Sequence, residues 1–232
     1  MSRALGRPRV HHRLTDSTNE RAKALAAGGA PHGTVVTADE QTAGRGRQGR
    51  SWVAPAGSAL LMSVLLRELN EGDAVLPLAA AVAVCEACER AAGVSCAIKW
   101  PNDVWIDGRK VAGILVEGRP QEGWAVLGIG LNVCTAPEDF PPELRELATS
   151  LGMDAPADAL LDPLLDRLAA GLAAPQADVV TAWRERDALR GQTVRWAEGE
   201  GTADGITDSG ALVVDTAAGR VELGAGEVHL LR

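Results

Sequence analysis

One short segment constrains the fold of this chain more than any other. In IKWPNDVWIDGRKVAGILVEG, residues 98–118, two apolar runs flank the dipeptide Asp107-Gly108. Asp-Gly between alternating apolar residues is a strong short-range signal for a β-hairpin with a two-residue type I′ turn. The residue pairs expected from that turn are Ile106 with Arg109, Trp105 with Lys110, and Val104 with Val111. The sequence therefore predicts an antiparallel strand pair here.

The predicted hairpin places a lysine among apolar residues. By the two-residue period of a strand, the residues that share the face of Lys110 are Ala112, Ile114 and Val116, with Asp103 and Trp105 from the partner strand. An unpaired buried charge is costly, so Lys110 needs an anionic partner. Two interpretations remain open. Lys110 forms an ion pair with Asp103 or snorkels at the sheet edge, or it points into a pocket and holds a carboxylate or phosphate, with Gly113 allowing close approach to the backbone.

A second segment, TADEQTAGRGRQGRSW at 37–52, contains the pattern G-x-G-x-x-G at 44–49. A dinucleotide-binding fingerprint requires a helix that opens on the last glycine. The residues after Gly49 include a proline and a glycine and have no helical period, which argues against it. Arg45, Arg47 and Arg50 instead suggest an anion-binding loop, because guanidinium groups bind carboxylate and phosphate bidentately. On these residues alone, a solvated basic loop remains an alternative.

The segment before the hairpin adds polar groups to the same region. Lys99 and Asn102 flank Trp100-Pro101, and Asp103 follows. Asn102 and Asp103 could serve a Mg²⁺ ion carried by nucleotide phosphates, since Mg²⁺ takes only one or two carboxylates from a protein. Together, the arginine loop and the hairpin indicate a substrate with a carboxylate and a polyphosphate. Activation of a carboxylate by ATP needs both, because cations stabilise the charge that develops at the α-phosphate.

Composition and patterning exclude several other classes of function. The formal net charge of −8 over 232 residues argues against a DNA-binding protein. We expect no membrane association and a cytoplasmic location, because no apolar run approaches a membrane span and the N-terminal residues lack a signal peptide's apolar stretch. Cys85 and Cys88 form a C-x-x-C inside an alanine-rich helical run without a second pair. We interpret all four cysteines as small core residues rather than a zinc site.

The pattern of the chain changes near its C-terminus. Helical and strand segments alternate up to about residue 188, including helices expected after the capping residues 16–19 and over 74–92, capped by Asp73 and closed by Gly93. After Gly191, short alternating segments are separated by turn signals. We therefore predict a mixed domain over residues 1–188 and a small β-barrel of about five strands over residues 189–232.

An ordered set of motifs strongly resembles the biotin protein ligases. The motifs are Ser17-Thr18-Asn19, the loop from Glu40 to Trp52, Lys99 to Asp103, Lys110 to Glu117, and GIGLNV at 128–133. The resemblance covers the chain from about residue 10 to the end. It implies an α+β fold in which a mixed-sheet catalytic domain of the biotin/lipoate ligase type precedes a small SH3-like β-barrel.

The resemblance also implies a reaction and its residues. Biotin and ATP, with Mg²⁺, would form biotinyl-5′-adenylate, and biotin would then pass to a lysine of the biotin carboxyl carrier domain of a carboxylase. The biotin-binding residues would be Ser17, Thr18, Asn19, Gln41, Arg45, Gly46, Arg47, Lys110 and Gly113. The nucleotide-binding residues would be Arg50, Trp52, Asn102, Asp103 and Asn132, with Asp103 near Mg²⁺. The catalytic residues would be Lys110 and Arg47.

Two departures from relatives shape the expectation. Repressor-type members carry an N-terminal helix-turn-helix domain, whereas few residues precede the first motif here, so we expect a ligase without DNA-binding repressor function. One Phe and no Tyr leave adenine stacking to tryptophan or aliphatic side chains. The alternatives are a lipoate-type protein ligase of the same fold, whose relatives tend to lack the paired-arginine loop, and a non-catalytic biotin sensor. Both a monomer and a homodimer remain open.

Overall fold

The structure, a computed structural model, describes residues 5–67, 75–119 and 122–231. The strands of the first sheet are β1 (Arg9–Thr15), β2 (Val35–Gln41), β3 (Ala59–Arg67), β4 (Ala97–Lys99), β5 (Asp103–Ile106), β6 (Arg109–Arg119) and β7 (Trp124–Asn132). The helices are α1 (Thr18–Ala27), α2 (Leu76–Ala92), α3 (Leu161–Ala173) and α4 (Gln176–Arg184). The strands of the second sheet are β8 (Thr193–Trp196), β9 (Gly199–Ile206), β10 (Leu212–Thr216), β11 (Gly219–Leu223) and β12 (His229–Leu230).

The first sheet is mixed and has the order β1-β2-β3-β7-β6-β5-β4. The pair β1 and β2 is parallel because α1 forms the crossover between them. The other neighbours in this sheet are antiparallel. This arrangement confirms the α+β prediction.

The central strand β3 separates two environments. Its alternate residues Leu60, Met62, Val64 and Leu66 belong to the main core together with residues of α2, α3 and α4. On the opposite face, Leu65 packs with Ala22 and Ala26 of α1. Ser63 lies on that opposite face as well and is fully buried. Because α1 is short, it covers only part of this face, and the remainder borders a cavity.

The hairpin prediction is correct in its turn and wrong in its register. Asp107 and Gly108 have φ angles of 50° and 74°, as a type I′ turn requires. Trp105 pairs with Lys110, but a register shift then pairs Val104 with Ala112 and Asp103 with Gly113. The predicted pair of Val104 with Val111 is therefore wrong.

The register shift also changes the neighbours of Lys110. A β-bulge adds one residue to a strand and moves the following side chains to the other face. As a result, Gly113 lies beside Lys110, with the lysine Nζ 3.1 Å from the position of a Cβ on that glycine. The predicted face-mates Ala112 and Ile114 are in the main core instead, with exposures of 0% and 2%.

Other predictions are confirmed in part. Helix α2 ends at Gly93, which adopts a left-handed conformation, whereas the proposed cap Asp73 lies outside the described residues. Gly49 closes a single 3₁₀ turn at Arg47–Gly49, and no α-helix follows before β3. The G-x-G-x-x-G pattern is therefore not a dinucleotide-binding fingerprint. Cys85, Cys88 and Cys96 are buried as expected, but Cys134 is exposed, so that part of the cysteine prediction is wrong. Within the described ranges, no cluster of three potential metal-ligating side chains occurs.

The second sheet is antiparallel and has the order β11-β10-β9-β8-β12. Its edge strands β11 and β12 do not pair in the described part of the chain, so the five strands form an open sheet rather than a closed barrel. The small C-terminal SH3-like unit still fits. No helix among the described residues is long and apolar enough to cross a membrane.

Candidate active site

A cavity of about 610 Å³ lies on the face of the first sheet that α1 leaves uncovered. The structure brings together all fourteen site residues predicted from the sequence, since each of them lines this cavity. The segments that contribute them are the N-terminus of α1, the end of β2, the glycine–arginine loop at residues 44–52, the hairpin and the end of β7. The roles of these residues remain predictions.

One end of the cavity, which we call the amide end, is lined by Thr18, Asn19 and Gln41, and the buried Ser63 supports it from behind. The Thr18 backbone N–H and hydroxyl lie 2.7 and 3.1 Å from Gln41 Oε1 and donate to it. The Ser63 hydroxyl is 2.8 Å from Thr18 Oγ1 and 2.6 Å from Asn19 Oδ1. These groups are neutral and connected to one another, and Thr18, Asn19 and Ser63 are buried while Gln41 is half-buried. Sequence analysis did not identify Ser63, although a polar residue inside the apolar run of β3 is a usable signal.

Glycines make room for this end of the cavity. A Cβ on Gly128 would lie 2.2 Å from Asn19 Oδ1, and one on Gly130 would lie 2.5 Å from the Trp52 ring. Gly130 pairs with Gly113 across β7 and β6. The Trp52 indole therefore lies directly against two strands that carry no side chains at this point.

Beyond Asn19, a group of charges joins the sheet to the glycine–arginine loop. Asn19 Nδ2 donates to Glu117 Oε2 at 2.8 Å, and Lys23 Nζ donates to Glu117 Oε1 at 2.9 Å. Arg45 lies 2.6 Å from Glu20 and 3.7 Å from Glu117. Burial raises the pKa of Glu117, but the hydrogen bonds from Asn19 and Lys23 outweigh it and leave the pKa below its ordinary value. Glu117 is therefore ionised at neutral pH.

The opposite end of the cavity, which we call the cation end, contains Lys99, Lys110, Arg47 and Arg50. Lys110 Nζ lies 2.7 Å from Asp103 Oδ1 and 5.6 Å from the centroid of the Trp52 ring. The ion pair with Asp103 is confirmed and Lys110 also lines the cavity, whereas its binding of a carboxylate or phosphate stays a prediction. Burial lowers the pKa of Lys99 and of Arg47, and neighbouring carboxylates only partly oppose it.

The C-terminal segment from residue 226 to residue 230 also contributes to the cation end. Arg47 Nη2 donates to the Gly226 carbonyl at 3.0 Å, and Arg50 forms an ion pair with Glu227 at 2.7 Å. Glu227, His229 and Leu230 line the cavity. The sequence analysis assigned no site residue to this part of the chain, because contacts between distant segments leave no local pattern.

An apolar wall borders the cation end near Asn132. Phe140, Leu144, Leu147 and Ala148 line the cavity, and Leu147 is 62% exposed. The backbone of Lys110 ties this segment to β6, since its N–H donates to the Leu147 carbonyl and its carbonyl accepts from Thr149 N–H, both at 2.8 Å. Asn132 Nδ2 donates to the Thr149 carbonyl, and its buried Oδ1 has no hydrogen-bond partner within the described residues. The wall includes Phe140, the one phenylalanine of the sequence, beside three aliphatic side chains, and which of them would stack on adenine stays a prediction.

Two family descriptions match this chain. The Biotin/lipoate A/B protein ligase family matches residues 11–133, and the Biotin protein ligase C terminal domain matches residues 190–231. The first match contains the amide end and most of the cation end, and the second contains the Gly226–Leu230 segment that contacts the loop.

Individual proteins give the same result. The biotin--[acetyl-CoA-carboxylase] ligase of Mycobacterium tuberculosis is 38% identical over 94% of this chain and 87% of its own length. The bifunctional ligase/repressor BirA of Bacillus subtilis is 44% identical over 65% of this chain, and the match spans only 48% of that relative. The chain thus spans about half the length of such bifunctional relatives. The solved biotin protein ligase from Aquifex aeolicus in complex with biotin and ATP superposes with a TM-score of 0.85 at 31% identity, covering 97% of this chain and 99% of that one.

Proposed function

Since this chain belongs to the biotin/lipoate A/B protein ligase family, we propose that it is a biotin protein ligase. It activates biotin with ATP to biotinyl-5′-adenylate and transfers the biotinyl group to a lysine of a biotin carboxyl carrier domain. The observation that carries the proposal is the polarity of one cavity, with neutral hydrogen-bonding groups at the amide end and four cationic side chains at the cation end. Biotin has a neutral cyclic urea at one end and a carboxylate at the other.

The amide end suits the cyclic urea. A urea presents one carbonyl acceptor and two N–H donors, and Thr18, Asn19 and Gln41 carry hydroxyl and amide groups that complement both. Ser17 at the helix N-terminus lines the same end. The dithiolane ring of lipoate offers no such donors, and buried polar groups left unpaired would penalise its binding. This favours biotin over the lipoate alternative.

The cation end suits the first half-reaction. A carboxylate oxygen of biotin attacks the α-phosphorus of ATP, the bond to the bridging oxygen breaks, and pyrophosphate leaves. Lys110 lies where its ammonium group would neutralise the attacking carboxylate and the α-phosphate oxygens, and Arg47 and Arg50 would neutralise the remaining phosphates. Asn132 and the apolar wall would hold the adenine. A cavity that carries Lys110 in this position favours an enzyme over a non-catalytic sensor.

The second half-reaction needs an approach to the activated carbonyl. The acceptor lysine attacks the acyl carbon of the adenylate as a neutral amine, an amide bond forms, and AMP leaves. The loop residues Arg45, Gly46 and Arg47 would cover the intermediate and exclude water until the acceptor docks. We propose that the acceptor is the carrier domain of a carboxylase.

Magnesium, the domain boundary and the cellular location complete the proposal. Asp103 has one carboxylate oxygen beyond its contact with Lys110, and Asn102 Oδ1 accepts from Arg47 Nη1 at 3.4 Å. This donor set fits a Mg²⁺ ion that arrives on ATP, where it supplies positive charge, and does not fit a cage made by protein alone. We place the division between the two domains near residues 188–189, and the cytoplasm remains the predicted location.

The test is biotin-dependent exchange of labelled pyrophosphate into ATP, with lipoate and octanoate as comparison substrates. Exchange with biotin and not with the comparison acids supports the proposal. Exchange driven by lipoate or octanoate instead would assign the chain to the other branch of its family, and tight biotin binding with no exchange would favour the sensor.

A further inference from the structure

Glu117 lies where the amide end meets the glycine–arginine loop. One of its carboxylate oxygens accepts from Asn19 Nδ2 at 2.8 Å, and the other lies 2.9 Å from Lys23 and 3.7 Å from Arg45. Its side chain is 26% exposed, so its charge is partly shielded from solvent. No motif in the sequence assigned a role to this residue beyond its place at the end of the hairpin strand.

The contacts around Glu117 form a ring of side chains that is closed by the backbone of residues 41–45. Starting from the end of β2, the ring members in order are Gln41, Thr18, Ser63, Asn19, Glu117 and Arg45. Gln41 and Arg45 stand on either side of the segment where β2 gives way to the loop. The ring therefore links the groups that face the head of the ligand to the first arginine of the loop.

The carboxylate of Glu117 determines which way the Asn19 side-chain amide is oriented. An ionised carboxylate accepts hydrogen bonds and cannot donate them, whereas an amide does both. Its position next to Asn19 requires that Nδ2 point toward Glu117 and that Oδ1 point toward Ser63 and the amide end. Replacement of the carboxylate by an amide would remove this requirement and allow the Asn19 amide to turn over.

Arg45 differs from the other loop arginines in what it contacts. Its guanidinium lies 2.6 Å from Glu20 of α1, and Lys23 bridges Glu20 and Glu117 at 2.6 and 2.9 Å. Arg47 and Arg50 instead contact Gly226 and Glu227 in the segment between β11 and β12. The loop is thus attached at one end to α1 and β6 and at the other end to the segment between β11 and β12.

We propose that Glu117 is a positioning residue that couples occupation of the amide end to closure of the glycine–arginine loop. It fixes the orientation of Asn19 toward the head of the ligand and holds Arg45 on the first sheet. This inference rests on the proposed function, since it supplies the step by which bound biotin keeps the loop over its adenylate. Glu117 acts through Asn19 and Arg45, and it contacts neither substrate.

A double-mutant cycle tests the coupling. The variants are Glu117→Gln, Arg45→Gln and the two together, and the measured quantities are the Kd for biotin and the rate at which preformed biotinyl-5′-adenylate is released. We expect Glu117→Gln to accelerate release by about tenfold, as loss of a charge-assisted contact predicts. The rate of pyrophosphate exchange at saturating biotin and ATP should fall less than threefold. The double variant should release adenylate no faster than the more damaged single variant.

Arg50→Gln is the matched control, because it removes the same side chain from the same loop but breaks the contact with Glu227. When Arg50→Gln and Glu117→Gln are combined, the fold-increase in the rate of adenylate release should equal the product of the two single fold-increases. A purely structural role for Glu117 predicts a lower melting temperature with unchanged release per folded molecule, and that result would overturn the inference. The inference would also be overturned if the fold-increase in adenylate release in the Glu117→Gln and Arg45→Gln double variant equalled the product of the two single fold-increases.

Two precautions keep the result decisive. If Glu117→Gln does not fold, the half-exposed Arg45→Gln variant removes the contact to Glu117 together with the one to Glu20, and normal adenylate release from it would count against the coupling. The wild-type protein is assayed first for biotin-dependent exchange. Absence of exchange there refutes the proposed function, whereas exchange with multiplying variant effects refutes only the role of Glu117.

Discussion

The two ends of the cavity rest on the same sheet but satisfy their polar groups differently. At the amide end, Thr18, Gln41 and Ser63 are neutral and hydrogen-bonded to one another. At the cation end, Lys110 and Arg50 are paired with the carboxylates Asp103 and Glu227. The first end is a network of neutral hydrogen bonds, whereas the second contains cations paired with carboxylates of the protein.

This difference indicates how the two substrates would bind. The urea of biotin would join an existing hydrogen-bond network, so its recognition depends on geometry already in place. The phosphates of ATP would compete with Asp103 and Glu227 for the same cations, so their binding depends on charge and on loop position. Buried neutral networks are insensitive to salt, while half-exposed ion pairs are screened by it.

The strongest test of the cation end is Lys110→Ala. We expect pyrophosphate exchange to fall by roughly 10²- to 10³-fold, the range typical for loss of a group that stabilises transition-state charge. Biotin affinity should change much less, because the amide end remains intact. The measurements are exchange kinetics, biotin titration and melting temperature, with the surface residue variant Arg220→Ala as control. A large drop in melting temperature with normal exchange per folded molecule would make the Asp103 pair purely structural.

The matching test of the amide end is Thr18→Val, which keeps the shape of the side chain and removes its hydroxyl. Gln41 Oε1 and Ser63 Oγ would each lose a buried partner, at a cost of about 1–3 kcal/mol. We expect the Kd for biotin to rise by roughly 10- to 100-fold and the KM for ATP to stay within about twofold of wild type. Equal losses for both substrates would show that the two ends are not independent.

Arg50→Ala should weaken ATP binding and leave biotin binding nearly unchanged, which is the reverse of Thr18→Val, and its effect should be smaller. Arg50 is about half exposed, with a side-chain exposure of 54%, so solvent screening limits its contribution. We expect the KM for ATP to rise by about three- to tenfold, with little change in the Kd for biotin. Higher salt should weaken ATP binding in the wild type more than in the variant. A rise in the biotin Kd alone would place Arg50 with the amide end.

The smallest expected effect is a change in proton uptake. Burial lowers the pKa of Lys99, and a bound polyphosphate would favour its charged form and raise that pKa again. ATP binding at alkaline pH should therefore take up a fraction of a proton, and ATP affinity should fall as pH rises through the lowered pKa. Calorimetry in buffers of different ionisation enthalpy measures this uptake, which Lys99→Met should abolish. The number of protons taken up on biotin binding should be the same in the wild type and in Lys99→Met.

Local patterns predicted much of this molecule. The Asp107-Gly108 turn, the buried strand β3 and the end of α2 at Gly93 follow from residues close together in the chain. The motif resemblance also identified residues that the structure gathers into one cavity. These features depend on backbone preferences and periodicity, which a single sequence expresses directly.

The remaining features depend on contacts between distant segments. The bulge beside Val104 changes the face of β6, and nothing in the alternation of IDGRKVAG distinguishes it from a regular hairpin. Ser63 and Glu117 gain their roles only when β3 and β6 lie beside α1 and the loop. The partners of Arg47 and Arg50 come from the segment between β11 and β12, far along the chain. Register and docking of this kind are set by packing rather than by local sequence.

The central pair of strands has a consequence for biosynthesis. β3 is buried along almost its entire length, and its partner β7 begins only at Trp124, after α2 and the hairpin. During translation, this apolar strand leaves the ribosome well before the strand that completes its pairing. Non-local strand pairing is slow, and an unpaired apolar edge promotes association between nascent chains. A chaperone that shields β3 until β7 has emerged should therefore raise the yield of folded protein more than one that acts after release.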